Sequence, residues 1–420
     1  MSTLADVLPV EALEDVGSAP ELPGADATVD AFVRPLDVAE VARAVRWALE
    51  DGRCVVPVGT GRHLHRMAVP RRCVVLSTSR MRGVETYEPA DLTLTAGAGT
   101  PIAELTEALA PHDQWLPFDP PDAESRTLGG LVASGLSGPL GTGYGTLRNH
   151  VLGATVVRGD GRALRLGGRV VKNVAGFDLL RPMVGSRGGL GVLTSVCVRV
   201  FPVPQADRLL VARADDPEQL VAAARAVATA PLLPASLVLV AGVEGHGGAA
   251  ALLVRLHGAR ATVDADQATL ERCIGSGLEV LEGEDARVLV RAARDHPAAS
   301  GIGLASVLPA CLGPALEAVR ASVGSVDLAA DASAGSIRFA FPAEAASGLA
   351  GLREALEGLG GSLGLERFPA DLELRREDVV TPPGPGEVAL AERVRAAFDP
   401  SGVYWPSTSR AAKSSVVGVG

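Results

Sequence analysis

Hydrophobic positions first repeat at a helical period from Val38, where Val38, Val41, Ala42, Val45, Ala48 and Leu49 form one stripe. Asp37 before the stripe, Glu40 at the third helical position and Gly52 after it predict a capped helix. Cys54 to Pro57 is an apolar run too short for a helix and reads as a buried strand, as do Val74 to Leu76 and Leu92 to Thr95. Thr100-Pro101 opens a second helix whose Ile102, Leu105, Ala108 and Leu109 share a face. Further β runs lie at Ala154 to Val157 and Leu190 to Phe201, so the first half predicts a sheet covered by helices. After Pro202 and Pro204 the pattern lengthens. Strands are expected at Arg208 to Ala212, Leu237 to Ala241 and Ala251 to Leu256, with helices at Pro217 to Ala230 and Asp266 to Ile274. A second round places β runs at Val288 to Arg294, Gly303 to Val307 and Gly335 to Phe341, with helices at Gly313 to Ser322 and Glu344 to Gly358. Two such rounds predict an α+β unit around an antiparallel sheet. The expected organisation is an acidic lead-in over 1–27, a first domain over 28–204, a second over 205–400 and a fraying Ser- and Gly-rich tail over 401–420.

Composition narrows the class of molecule. A chain of 420 residues suits two domains, and 47% hydrophobic residues exclude a disordered one. Only 3% aromatics and a net charge of −10 argue against a base-stacking platform, a phosphate-tracking surface or binding to anionic lipid. The cysteines, Cys54, Cys73, Cys197, Cys273 and Cys311, are odd in number and contain no CxxC pair, so they read as thiols in a reducing cytosol. The first thirty residues hold seven acids and no Lys or Arg, the reverse of a secretory leader, and no apolar run reaches membrane-spanning length. A cytoplasmic location is expected.

Glycine carries the chemical signal. Residues 129–191 contain 17 glycines, interleaved with β runs. Pro57-Val58-Gly59-Thr60-Gly61-Arg62 follows a strand, but position 64 is Leu where a dinucleotide fold needs a third glycine to open its crossover helix. The segment is therefore either a plain turn or a cradle of backbone N–H groups for a phosphate. Ala96-Gly97-Ala98-Gly99, Thr127-Leu128-Gly129-Gly130 and Gly185-Ser186-Arg187-Gly188-Gly189-Leu190-Gly191-Val192 repeat the theme, and one extended phosphate-bearing ligand would account for all four.

The order of these motifs resembles the FAD-binding domain of the vanillyl-alcohol oxidase and p-cresol methylhydroxylase (PCMH) superfamily over roughly residues 28–204. Within it, Val170 to Leu179 followed by Met183 to Ser186, together with Ser134 to Pro139 and Arg148 to Gly153, are similar to the FAD-binding E subunit of bacterial glycolate oxidase. The resemblance implies two FAD-binding subdomains followed by a ferredoxin-like α+β cap. It implies that Val58, Gly59, Thr60, Gly61 and Arg62 wrap the diphosphate of FAD, and that Thr127, Leu128, Gly129, Gly130 and Val132 line its path. Gly188, Leu190, Gly191 and Val192 would approach the adenine, with Pro121 and Asp122 bordering the flavin. Arg62 stands where some members attach FAD through a histidine, and His63 falls one residue later, so non-covalent FAD is expected.

Only Lys172 and Lys413 are lysines among 39 basic residues, and Lys172 is either a charge partner for the flavin, for a partner subunit or for a reduced intermediate, or a surface Lys. His65, His112 and His150 read as polar loop residues. Related catalytic subunits carry a clustered His and acid set in the cap; here His246 and His257 are eleven apart and Asp295-His296 sits before Pro297, so no metal is expected. Phe398 to Tyr404 matches the family's ending, but Trp405-Pro406-Ser407 replaces its Asn-Pro-Gly. The first expectation is thus an FAD-binding subunit that passes electrons from a 2-hydroxy acid, such as glycolate, to a sister flavoprotein and an iron–sulfur subunit, peripheral to a membrane only through those partners. The alternatives are a free-standing FAD oxidoreductase of a sugar, lactone or other alcohol, with Arg148 a substrate contact, and a structural subunit with little redox role.

Overall fold

The computed structural model describes residues 3–20, 22, 28–61, 72–168, 178–242, 250–295, 300–324, 327–367 and 380–405. Asp37 caps the helix Val38–Glu50, accepting the Glu40 N–H at 2.8 Å. Glu40 reaches back to the Leu36 N–H at 2.6 Å, one residue before the cap. The stripe Val41, Ala44, Val45 and Ala48 is buried against Val33, Val55, Val74 and Leu76. Those residues belong to a four-stranded sheet ordered Leu13–Glu14, Val29–Val33, Cys73–Ser77, Cys54–Val58, parallel except at its first pair. Leu8 and Ala12 from the acidic lead-in also enter this core, so residues expected to be loosely ordered are docked by two apolar side chains.

A second sheet of five antiparallel strands runs Val84–Glu88, Thr93–Gly97, Val192–Arg199, Val151–Val157, Ala163–Gly167. The helices Ile102–Leu109 and Leu128–Ser134 cover it, burying Leu105, Leu109, Leu128, Leu131 and Val132 against Leu94, Val196 and Val198. From Ala206 the chain builds an eight-stranded sheet in which every pair is antiparallel. Alternation along its strands separates two faces. Leu210, Leu237, Leu239 and Leu252 pack under the helices Pro217–Thr229, Arg260–Ile274, Leu312–Val323 and Leu349–Gly358. Leu209, Val211, Val238 and Val240 pack instead on Ala286, Leu289 and Ala293.

That last group corrects an expectation. Val288 to Arg294, read as a β run, lies in the helix Gly283–Arg294, whose buried residues are spaced by three and four while Val288 is 55% exposed. The strands Glu279–Glu282, Leu328–Asp331 and Ser362–Arg367 and the helix Pro385–Phe398 had no sequence counterpart. The chain end also differs from a fraying tail as far as Trp405. Tyr404 is fully buried, bridges Val55 in parallel register and donates its hydroxyl to the Val157 carbonyl at 2.8 Å, while Asp399 accepts the Val403 and Tyr404 N–H groups. This return path pins the base of the strand Cys54–Val58, whose other end carries Gly59 and Gly61. Mixed α+β architecture is as expected. No helix among the described residues is long and apolar enough to cross a membrane.

Candidate functional site

Three of the four glycine segments meet in one cleft beside the helix Leu128–Ser134. Val58, Gly59, Thr60 and Gly61 form one wall, Thr127, Gly129 and Gly130 a second, and Gly188, Gly191 and Val192 a third, around about 830 Å³ of space that includes the open mouth. The walls touch because side chains are missing. A Cβ on Gly59 would overlap the Thr127 hydroxyl, and Gly188, at φ +83°, lies against the Pro57 ring.

The donor inventory decides what the cleft can bind. Thr127 caps the helix Leu128–Ser134 by accepting the Gly130 N–H at 3.2 Å. The Leu128 N–H goes to the Thr100 carbonyl at 2.9 Å and the Gly129 N–H to the Ala98 carbonyl at 2.7 Å. The first turn of this helix is therefore spent within the protein. The fourth glycine segment lies behind it: Gly97, Ala98, Gly99 and Thr100 donate to Gly83, Thr194, Met81 and Gly97 carbonyls. It is a packing layer, and the expectation that it supplies donors to a ligand is corrected. The N–H groups of Gly59, Thr60 and Gly61, in contrast, have no partner among the described residues. Three successive free N–H groups are an anion cradle.

Leu128 and Val132 sit in the core beneath the cleft, and Leu190 packs against that core. Pro121 and Asp122 do not line this cleft but adjoin it: Arg126, which lines it, donates Nε to the Pro121 carbonyl at 2.6 Å, and the Asp122 N–H donates to Asp295 Oδ1 at 2.9 Å at the end of the helix Gly283–Arg294. Arg62, His63, His65, Lys172, His246 and His296 fall outside the described residues. Sequence reasoning missed Thr78, Arg126, Ala133, Ser134 and Arg187 as lining residues. Arg187 had a signal, a charge at the variable position of a glycine motif. Arg148 is exposed, and His150, expected as a polar loop residue, is buried between Phe118 and Phe201. Burial holds the His150 imidazole below its usual pKa.

At the interface with the eight-stranded sheet a polar network assembles. Arg255 grips Asp207 through two hydrogen bonds of 2.7 and 2.6 Å, Asp207 takes His257 Nε2 at 3.0 Å, and Tyr144 Oη lies 3.0 Å from His257 Nδ1. Burial opposes ionisation of Asp207, but the Arg255 fork and His257 outweigh it and hold its carboxyl well below the usual range. Both nitrogens of His257 are thus engaged. Arg294 grips Asp295, and Arg338 grips Glu366 at 2.8 Å. Asp119, buried and accepting the Leu140 N–H, is pushed up to about 7 by burial, against the pull of that N–H and of Arg255 and Arg294.

Comparisons with known proteins agree with this geometry. Residues 29–167 match the FAD binding domain family. The chain is 48% identical over 126 residues to glycolate oxidase subunit GlcE of Escherichia coli (strain K12), 30% of this chain and 36% of that protein. It is 37% identical over 172 residues to D-lactate dehydrogenase of Archaeoglobus fulgidus, 40% of this chain and 38% of that protein. The matches span less than half the length of either relative. A solved structure of alkyldihydroxyacetonephosphate synthase aligns at a TM-score of 0.70 with 18% identity, over 91% of this chain and 76% of that one, a likeness of fold. Within that fold, residues 29–167 carry the match to the FAD-binding domain, the sheet they build continues through Val192–Arg199, and the cofactor of the chain is FAD.

Proposed function

We propose that this chain is the FAD-binding subunit of a glycolate-oxidase-type complex, in which electrons from a 2-hydroxy acid such as glycolate pass through flavin to a sister flavoprotein and an iron–sulfur subunit. The observation that carries the reading is the meeting of the Gly59–Gly61, Thr127–Gly130 and Gly188–Val192 segments in one cleft. The similarity to GlcE points to the finer role. In this reading the Gly59, Thr60 and Gly61 N–H groups bind the FAD diphosphate, Thr127 to Gly130 and Val132 support the ribityl path, and Gly188 to Val192 take the adenine through backbone contacts. FAD is held non-covalently, and Pro121 and Asp122 border the flavin. Bound flavin supplies a two-electron acceptor for the alcohol carbon. Among the described residues His257 has both nitrogens turned to Tyr144 and Asp207, which supports a reading in which the partner abstracts the proton and this chain relays electrons.

The test is reconstitution. The chain purified alone should be yellow, release intact FAD on acid precipitation, and reduce a dye with glycolate at a negligible rate. Co-expression with the two partner subunits should restore turnover and shift the native size. Glycolate oxidation by the lone chain at a full enzymatic rate would overturn the division of labour and favour a free-standing dehydrogenase, the reading that the similarity to D-lactate dehydrogenase supports.

A further inference from the structure

Arg187 lines the cofactor cleft from the variable position of Gly185-Ser186-Arg187-Gly188. Its backbone is left-handed at φ 51°, which a residue with a side chain adopts only when its surroundings enforce it. The enforcement is visible: the Arg187 N–H donates to the Ala133 carbonyl at 2.7 Å, and the Gly185 N–H to the Val132 carbonyl at 3.0 Å. The side chain is thereby rooted beside the last turn of the helix Leu128–Ser134.

Its guanidinium makes no hydrogen bond or ion pair among the described residues. Burial lowers its pKa, and the opposing charge that acts on it is Glu366, from the edge strand Ser362–Arg367, without direct contact. Glu366 is held by Arg338 Nε at 2.8 Å. Among the described residues the other arginine lining the cleft, Arg126, is engaged with the Pro121 carbonyl. A desolvated, unmatched guanidinium destabilises the empty protein, and such a group persists where an anion repays the cost. The first-turn amides of the helix Leu128–Ser134 are consumed internally, so helix-terminus binding cannot supply the positive charge.

We propose that Arg187 is the cationic anchor of the FAD diphosphate, acting with the free N–H groups of Gly59, Thr60 and Gly61. This rests on the reading of the cleft as the FAD site. Guanidinium suits the task because its planar fork meets two phosphate oxygens at once, whereas the backbone donors carry only partial charge.

The experiment uses the full chain stripped of flavin and titrated with FAD and with ADP, which keeps the diphosphate and lacks the ring. Arg187→Leu should weaken both about 10- to 100-fold, Arg187→Lys should recover part of the loss, and the midpoint potential of bound flavin should stay at the wild-type value. The empty Arg187→Leu protein should melt no lower than the empty wild type, because an unpaired charge has been removed. FAD and ADP affinities within twofold of wild type overturn the proposal, as does a shifted flavin potential with ADP affinity unchanged, which would place the guanidinium on the ring. Gly59→Val separates failure of the anchor from failure of the cleft as the FAD site. If it loses FAD while Arg187→Leu does not, the anchor alone fails; if it binds FAD normally, the cleft itself is not the site.

Discussion

Along the glycine cleft the N–H groups of Gly59, Thr60 and Gly61 and the Arg187 guanidinium have no partner among the described residues, while at the interface with the eight-stranded sheet Arg255, Arg294 and Arg338 grip Asp207, Asp295 and Glu366 respectively. The cleft is built from backbone because glycine lets three segments approach one another. The interface is built from side chains, and its arginines are matched by carboxylates, although Trp115 Nε1 beside Tyr144 and His257 has no partner among the described residues. An unsatisfied donor set marks where the protein is completed by something else, and a satisfied one marks where it holds itself together.

The largest expected effect tests the second half of that contrast. Asp207→Ala leaves the Arg255 guanidinium, whose side chain is 13% exposed, and His257 Nε2 without their shared acceptor. Breaking a buried pair from one side costs about 3 kcal/mol, somewhat less here because Asp207 is partly exposed. The expected result is a lower urea midpoint with an unchanged slope. A midpoint within experimental error of wild type would show that the network is ornamental.

The two regions also differed in how far the sequence announced them. Gly59, Gly61, Gly129, Gly130, Gly188 and Gly191 were legible because a backbone site requires a particular residue type at a particular spacing, and all six line the cleft. The interface was not legible. Arg255 with Asp207, and Tyr144 with His257, are separated by 48 and 113 residues, and nothing local in an Arg or a Tyr says which distant side chain it will meet. The segment Ala96 to Gly99 misled for a related reason: its glycines are needed for close packing behind the helix Leu128–Ser134, and packing and phosphate binding ask for the same residue. The helix Gly283–Arg294 was misread because a short window of Val, Leu and Val outweighed the longer helical spacing of Ala286, Leu289 and Ala293.

A smaller effect concerns Asp119, which stands at the interface without an arginine fork. Its folded pKa, raised by burial to about 7, lies above the ordinary 3.8 of the unfolded chain. The folded state therefore holds a proton in that window that the unfolded state has released, and the associated stability is present below pH 4 and lost as pH rises through 7. Asp119→Asn keeps the neutral form at every pH. The stability of wild type relative to Asp119→Asn should fall by about 2 kcal/mol between pH 5 and 7, measured by urea unfolding at each pH so that other titrations cancel. Parallel curves for the two proteins would show that the carboxyl is already ionised in that range.

The smallest expected effect is the sharpest test of whether the two regions are separate. Tyr144 donates its hydroxyl to His257 Nδ1, the nitrogen left as acceptor once Nε2 faces the Asp207 carboxylate. Its ring packs edge-on against Trp115 at 5.5 Å and Phe201 at 5.4 Å. Tyr144→Phe keeps those aromatic contacts and removes one hydrogen bond to an imidazole that is 4% exposed, so the cost should be about 1 kcal/mol. None of Tyr144, His257 or Asp207 lines the cleft, and the affinity for FAD should therefore equal that of wild type. Flavin titration of Tyr144→Phe decides the matter. A several-fold weaker affinity would mean that the closed network sets the shape of the open one, and the division drawn between them would have to be replaced by a single coupled site.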